Sequence, residues 1–164
     1  MLDEIKAKAQ KFAISDDFRR LQSEFKDRAK KSANRPKKVE GLEKATEHRI
    51  WYVDPTYLQP TDIKDNEGKV IVKAGTSVNP LENFSWEENW IVIDGDDEVQ
   101  VSWALEQKGD IVLTNGAPLE LANTHNRYFY FDQNGEISKK LRLRFLPTIV
   151  SQEDFFIKIE EFAL

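Results

Sequence analysis

The stretch that decides the fold is WIVIDGDD, residues 90–97. Its first four residues form an apolar run typical of a strand that is buried on both faces of a sheet. Asp96 and Asp97 can cap a helix at 97–107, because their carboxylates accept hydrogen bonds from the free N–H groups of a first helical turn. Residues 111–113 predict a second strand, and the crossover is long enough for a parallel pair. The stretch therefore predicts an α/β domain.

The residues that follow extend this pattern to the C-terminus. They predict a helix with Pro118 in its first turn, an aromatic strand, a short helix and an antiparallel hairpin, at residues 117–125, 128–131, 136–143, 148–150 and 155–159. Pro147 stands directly before that hairpin. This order of elements resembles a thioredoxin-like domain, which we place at residues 84–164.

The chain lacks the residues on which the redox chemistry of such a domain depends. A thioredoxin uses a CxxC pair at the turn between its first strand and first helix. Here that turn reads GDDE, residues 95–98, and the chain contains no cysteine. Thiol catalysis, disulfides and thiolate metal sites are therefore excluded. A thioredoxin-like domain lacking the CxxC favours a binding or assembly role over an enzymatic one.

Charge is distributed unevenly along the chain. Residues 1–49 carry 14 Lys and Arg against 9 Asp and Glu, whereas residues 50–164 carry 10 against 20. A basic arm of this kind suits an acidic partner, a nucleic acid or a membrane surface. Acidic residues are interleaved with the basic ones, and no aromatic side chain is placed to stack on a base. We therefore favour a solvated helical segment with a linker, and expect no nucleic-acid binding.

The patterns divide the chain into four predicted segments. They are a helical arm at 1–33, a basic linker at 34–49, a β-rich extension at 50–83 and the thioredoxin-like domain at 84–164. In the arm, helices are expected at 3–13 and 16–31, the second capped by Ser15 and carrying a narrow apolar stripe that includes Leu21 and Phe25. The extension is expected to form a hairpin around the turn at 65–68. No apolar run approaches the roughly 20 residues that cross a bilayer, so membrane insertion is not expected.

Three carboxylates, Asp94, Asp96 and Asp97, lie at the predicted carboxyl end of the first strand, where α/β folds place their ligands. Grouped carboxylates can perform acid–base chemistry or bind a hard metal ion. They can equally cap a helix and keep a loop soluble, and we favour this interpretation because no further metal ligands can be placed. The alternative hypothesis is a metal-dependent protein or enzyme that uses the Asp94–Asp97 loop. We expect neither a metal nor another cofactor.

Two further residues are candidates for partner binding, together with Asp96 and Asp97. In thioredoxin-like folds a cis-proline opens the strand that faces the first helix, and its neighbours bind extended peptides. Pro147 holds that position, although a structural turn kept for packing would also explain it. The four tryptophans are expected in the core or at its edge, and Trp86 is the candidate among them for an exposed one. Aromatic side chains often anchor interfaces. A place at the edge of the core is the alternative for Trp86.

Six motifs, in order along the chain, resemble the TraW family of F-type conjugative type IV secretion systems. They are WYVDPT (51–56), DIKDNEGKV (62–70), Gly75 with NPL (79–81), IDGDD (93–97) with QVSW (100–103), RYFYFDQNG (127–135) and LRLRFLP (141–147). Each motif alone is weak, but six in the right order are specific. The resemblance covers residues 50–164, and the N-terminal helices share only its charged, helical character.

The resemblance implies a non-catalytic scaffold or adaptor in the periplasm, needed to assemble the conjugative pilus. It also implies association with TrbC, another thioredoxin-like component, and names TraU as a further candidate partner. It implies no catalytic residue. Members of the family begin with a secretion signal, whereas residues 1–6 lack the apolar core of one. We therefore expect that the signal has been removed.

Overall fold

The computed structural model describes residues 15–164, so the helix predicted at 3–13 lies outside the described residues. The first element is helix α1 (Asp16–Asn34). It begins where the sequence predicts, because Ser15 Oγ accepts a hydrogen bond of 3.2 Å from the Phe18 N–H. Leu21 and Phe25 of the predicted stripe are exposed. Within residues 15–164, no helix has both the length and the apolar character needed to cross a membrane.

Strands and further helices follow α1. The strands are β1 (Glu43–Lys44), β2 (Arg49–Val53), β3 (Tyr57–Leu58), β4 (Ile63–Lys64), β5 (Val70–Val72), β6 (Ser77–Val78), β7 (Trp90–Asp94), β8 (Asp110–Asn115), β9 (Phe129–Phe131), β10 (Phe145–Leu146), β11 (Thr148–Glu153) and β12 (Phe156–Glu161). The helices after α1 are α2 (Glu98–Glu106), α3 (Pro118–His125) and α4 (Glu136–Leu141), with 3-10 turns at Pro80–Glu82 and Gln133–Gly135. The strands and helices predicted between residues 90 and 159 are thereby confirmed.

Six of the strands form one mixed sheet in the order β2-β12-β11-β7-β8-β9. Strands β7, β8 and β9 are parallel, whereas β11, β12 and β2 join through antiparallel pairs. Strand β7 lies inside the sheet as predicted, and Ile91, Val92 and Ile93 have no exposed surface. The α/β class is therefore confirmed.

Each face of this sheet carries its own apolar core. Ile91 and Ile93 point to the face that α2 and α3 cover, whereas Val92 points to the face covered by α4 and β10. The alternation follows from the pleat of a strand, in which successive side chains point to opposite faces. Burying each such aliphatic side chain contributes about 1.5–3 kcal/mol, so β7 stabilises both layers at once.

Residues 35–47, which belong to the predicted basic linker, form a strap across the carboxyl ends of the central strands. The Val39 N–H donates to the Thr114 carbonyl over 2.8 Å, and the Ala45 N–H donates to the Leu146 carbonyl over 2.8 Å. Between them, β1 pairs in parallel with β10. Val39 and Ala45 are buried. This segment therefore packs as part of the fold and is not a free tether.

The β-rich extension consists of two small antiparallel pairs, β3 with β6 and β4 with β5. The predicted hairpin turn is confirmed, since Asp65 Oδ1 accepts from the N–H groups of Glu67 and Lys69 at 3.0 and 2.9 Å. The extension is fastened where Asn79 Nδ2 donates to the Phe155 carbonyl over 2.9 Å. Strand β2, which we predicted as the start of the extension, pairs instead with β12 in the main sheet.

Candidate functional site

The candidate site is the acidic loop, residues 94–97, between the end of β7 and the start of α2. Gly95 packs against β8, and its N–H donates to the Asn115 carbonyl over 3.1 Å. A Cβ at this position would lie 2.6 Å from that same carbonyl oxygen. Only glycine allows the backbones to approach so closely. The loop is therefore held at the carboxyl end of a central strand, where α/β folds place ligands.

Asp97 is the N-cap of α2, as the capping interpretation predicts. Its Oδ1 accepts from the N–H groups of Val99 and Gln100 at 3.0 and 3.2 Å. Partial burial acts to raise the pKa of Asp97, but the Gln100 N–H and the Lys44 ammonium stabilise the carboxylate more strongly. The pKa of Asp97 therefore lies below its ordinary value.

The other two carboxylates are held by neighbouring amides. Asp94 Oδ1 accepts from the Asp96 N–H at 2.9 Å and from Asn115 Nδ2 at 3.0 Å. Asn115 Nδ2 also donates to Asp96 Oδ2 over 3.0 Å. From the other side, the buried Gln100 accepts from the Asp94 N–H at 2.9 Å and donates to Asp97 Oδ2 at 3.2 Å. Asn115 and Gln100 therefore fix the shape of the loop.

The strap supplies one cation for each carboxylate of the loop. The pairs are Arg35 with Asp96 at 2.6 Å, Lys38 with Asp94 at 3.3 Å and Lys44 with Asp97 at 3.2 Å. The Arg35 guanidinium contacts both oxygens of its partner. The sequence does not by itself single out these three basic residues. The available signal is the opposite net charge of residues 1–49 and 50–164, which predicts either an acidic outside partner or a solvated segment with a linker, and not pairing within the chain.

This arrangement bears on the hypothesis of metal-dependent chemistry. Within residues 15–164, no group of three or more His, Asp or Glu side chains is placed to hold a metal ion. A metal entering the acidic loop would have to displace the Lys38 and Lys44 ammonium groups that now lie against Asp94 and Asp97. Nothing in the described geometry favours this hypothesis over helix capping and attachment of the strap.

Pro147 lies near the acidic loop, beneath the strap. It is fully buried, and the Leu146–Pro147 peptide bond is cis. The two residues before it form β10, whose edge is paired with β1 of the strap. A cleft of about 170 Å³ is lined by the strap, by Asp94 and Asp97, and by Leu146. The structure therefore places Asp96 and Asp97 on the face that the strap crosses, whereas the side chain of Pro147 is buried.

Trp86 lies elsewhere. Its ring packs edge-on against Trp90 with 4.5 Å between ring centroids, and the backbone N–H of Trp86 donates to Gln152 Oε1 over 2.6 Å. Trp90 begins β7 and Asp94 ends it, which separates the two ends by about 13 Å at the usual rise per residue. Trp86 is half-buried at the core edge, whereas its neighbour Phe84 is 74% exposed. The exposed aromatic residue of this segment is thus Phe84.

Comparison with known proteins gives one informative match. No protein-family model matches the chain, and no solved structure matches it significantly. Protein TraW of Escherichia coli (strain K12) is 31% identical over 153 residues, which span 89% of this chain and 73% of that protein. This alignment includes most of the described fold together with the acidic loop. The chain therefore belongs to the TraW family.

Proposed function

We propose that this protein is a non-catalytic periplasmic scaffold or adaptor, required to assemble the conjugative pilus of an F-type type IV secretion system. The observation that carries the proposal is the closed acidic loop. Its three carboxylates are paired with three cations of the chain's own strap, and the chain has no cysteine to perform redox chemistry. Membership of the TraW family supports the conjugative role.

The proposal includes a thioredoxin-like domain without the CxxC. Three features support this assignment. The β7-α2-β8 unit is parallel, β11 and β12 form an antiparallel pair beside β7, and Pro147 precedes β11. The acidic loop stands at the turn where a thioredoxin carries its cysteines. Strand β2 extends this domain at the edge next to β12, so we place its first strand at Arg49 and keep residues 54–83 as the extension.

We propose a TrbC-type thioredoxin-like protein as the principal partner and TraU as a further one. The face around Asp96, Asp97 and Pro147 would accept a partner only if the strap moved, because β1 and three ion pairs already occupy it. The extension is open by comparison. Leu58 and Ile71 are 62% and 65% exposed on its two strand pairs. Tyr57, Ile63, Val70 and Val78 of the same strands are exposed as well. Exposed apolar surface is typical of interaction sites, so we place the partner contact on the extension.

Co-purification with the TrbC protein of the same transfer operon, followed by size-exclusion chromatography with light scattering, tests this proposal. We expect a stoichiometric complex with the wild-type chain. The double substitution Leu58→Ser and Ile71→Ser should abolish it. The matched control, Leu119→Ser with Tyr130→Ser, removes two similarly exposed apolar side chains from α3 and β9 and should leave the complex intact.

The possible outcomes distinguish an error in the proposed partner from an error in the proposed contact surface. Two folded proteins that elute as separate species would remove the proposed partner. A complex that survives the extension variant and is lost in Asp97→Lys would move the contact to the strap face. A complex that survives both variants would leave Trp86 and Phe84 as the next residues to change.

A further inference from the structure

A second surface, remote from the extension, begins at residues 141–144, which read LRLR. Helix α4 ends there with Arg142 in a left-handed conformation, φ 55°, and its N–H donates back to the carbonyls of Lys139 and Ser138. This ending turns the chain so that Leu143 enters the core while Arg142 and Arg144 stay exposed. The local backbone therefore leaves both arginine side chains outside the core.

These arginines belong to a basic ridge, which we define as Lys139, Lys140, Arg142 and Arg144. Residues 50–164 contain only ten Lys and Arg, and four of them fall within residues 139–144. All four side chains are exposed. Among residues 15–164, none of the four forms a salt bridge, and Lys139 Nζ donates only to the Asn134 carbonyl. In contrast to the cations of the strap, this charge is not neutralised within the described fold.

The ridge stands between two clefts with apolar walls. One, of about 250 Å³, is lined by Val39, Leu42 and Leu143. The other, of about 160 Å³, is lined by Trp51 and Phe145. Arg142 and Arg144 line both clefts. The surface therefore combines the basic ridge with an apolar-walled cleft on either side of it.

Three other charged residues line these clefts and limit what can bind. Arg49 in the second cleft is already paired with the buried carboxylate of Glu161 at 3.0 Å and lies over the Phe145 ring. Glu40 lies on the strap side of the first cleft. The free positive charge is thus concentrated on the ridge, and an anionic group would bind there and not at Arg49.

We propose that the basic ridge and its two clefts form a docking site for an acidic, amphipathic peptide segment of another protein. Guanidinium groups bind carboxylates in a bidentate geometry. The two clefts would bind the apolar side chains that alternate with the carboxylates along the peptide. A nucleic acid or a lipid headgroup would use the charge but not the clefts. Residues 1–14 carry three lysines against two acidic residues, so they do not match the ridge. The site is independent of the partner proposed for the extension.

Binding of a short fluorescein-labelled peptide of alternating glutamate and leucine tests the site directly. Fluorescence polarisation would compare the wild-type chain with Arg142→Glu/Arg144→Glu, and we expect affinity to fall at least about tenfold. The matched control is Lys26→Glu/Lys108→Glu, which makes the same change in net charge at exposed positions without a salt bridge in the described chain and should bind as the wild type does. Thermal unfolding checks that both variants are folded.

Peptide variants and NMR distinguish this site from a general polyanion surface. A peptide with serine in place of leucine should bind several-fold more weakly, and amide shifts should centre on Val39, Leu42 and Leu143. The proposal fails if the wild type does not bind, or if both charge variants weaken binding equally. It also fails if the serine peptide, heparin or anionic phosphatidylglycerol vesicles bind as tightly as the leucine peptide. Self-association lost in Arg142→Glu/Arg144→Glu would identify a second copy as the occupant and would equally overturn it.

Discussion

Replacement of Asp97 by alanine tests whether the acidic loop has a structural role. The substitution removes the N-cap of α2, an effect of about 1 kcal/mol. It also removes the half-exposed pair with Lys44, a contribution of about 0–1 kcal/mol. The buried Gln100 amide loses the acceptor that it contacts at 3.2 Å, and an unsatisfied buried donor costs about 1–3 kcal/mol. Since the loop can relax, we expect a total loss of about 2–3 kcal/mol.

Thermal unfolding followed by circular dichroism would measure this loss. For a chain of this size, each kcal/mol lowers Tm by about 2–4 °C, so Asp97→Ala should lower it by about 4–12 °C. Asp97→Asn retains a capping oxygen and should lose less than about 1 kcal/mol. Asp96→Ala is the matched control, because its carboxylate caps no helix and contacts the exposed Arg35. It should also lose less than about 1 kcal/mol.

The pH dependence gives an independent readout of the same interaction. The pKa of Asp97 is lower in the folded protein than its ordinary value of 3.8. Its charge therefore stabilises the fold fully above the ordinary pKa, and that contribution is lost as the pH falls through the lower, folded pKa. The stability difference between the wild type and Asp97→Asn should shrink as the pH drops below about 4. Equal losses in Asp97→Ala and Asp96→Ala would refute the capping argument.

Two further predictions concern residues that hold the scaffold of the domain, and a third concerns metal binding. Asp132 is 1% exposed and accepts from the Ser138 hydroxyl and two backbone N–H groups. Asp132→Ala should therefore lower the free energy of unfolding, measured by urea denaturation, by about 3–5 kcal/mol. A loss below about 1 kcal/mol would contradict this. Gly109→Ala should lower the free energy of unfolding by at least about 2 kcal/mol, because its Cβ would lie 2.2 Å from the Asn89 carbonyl oxygen. Gly75→Ala is the control, since Gly75 has open space around it, and it should lower that free energy less. Equal losses in the two variants would count against the clash. Millimolar Mg²⁺ or Ca²⁺ should leave Tm unchanged, and a rise that Asp94→Asn removes would revive the metal hypothesis.

The elements of the domain could be predicted because their signals are local. The apolar run at 90–93 predicts a buried strand whichever strands lie beside it, and residues 91–93 are buried. Ser15 and Pro118 mark helix starts through bonds and torsions within a few residues. The role of Asp97 as a cap was predictable for the same reason, since the N–H groups that donate to it lie two and three residues further along the chain.

The partners of those elements required the tertiary structure. Arg35 and Asp96 are 61 residues apart, and no local pattern indicates which carboxylate a surface guanidinium will contact. The same applies to β2, whose partner β12 lies about a hundred residues further along the chain.

The sequence by itself determined the α/β class, the absence of thiol chemistry and the family resemblance, because these depend on residue types and their order. The tertiary structure alone decided that the basic linker is a strap, that it neutralises the acidic loop and that Trp86 lies at the core edge. It also left Arg142 and Arg144 of the ridge exposed and without a salt bridge among the described residues. The physical reason is that a charge or an aromatic ring acquires its role from neighbours that chain folding brings together, and sequence separation does not encode that distance.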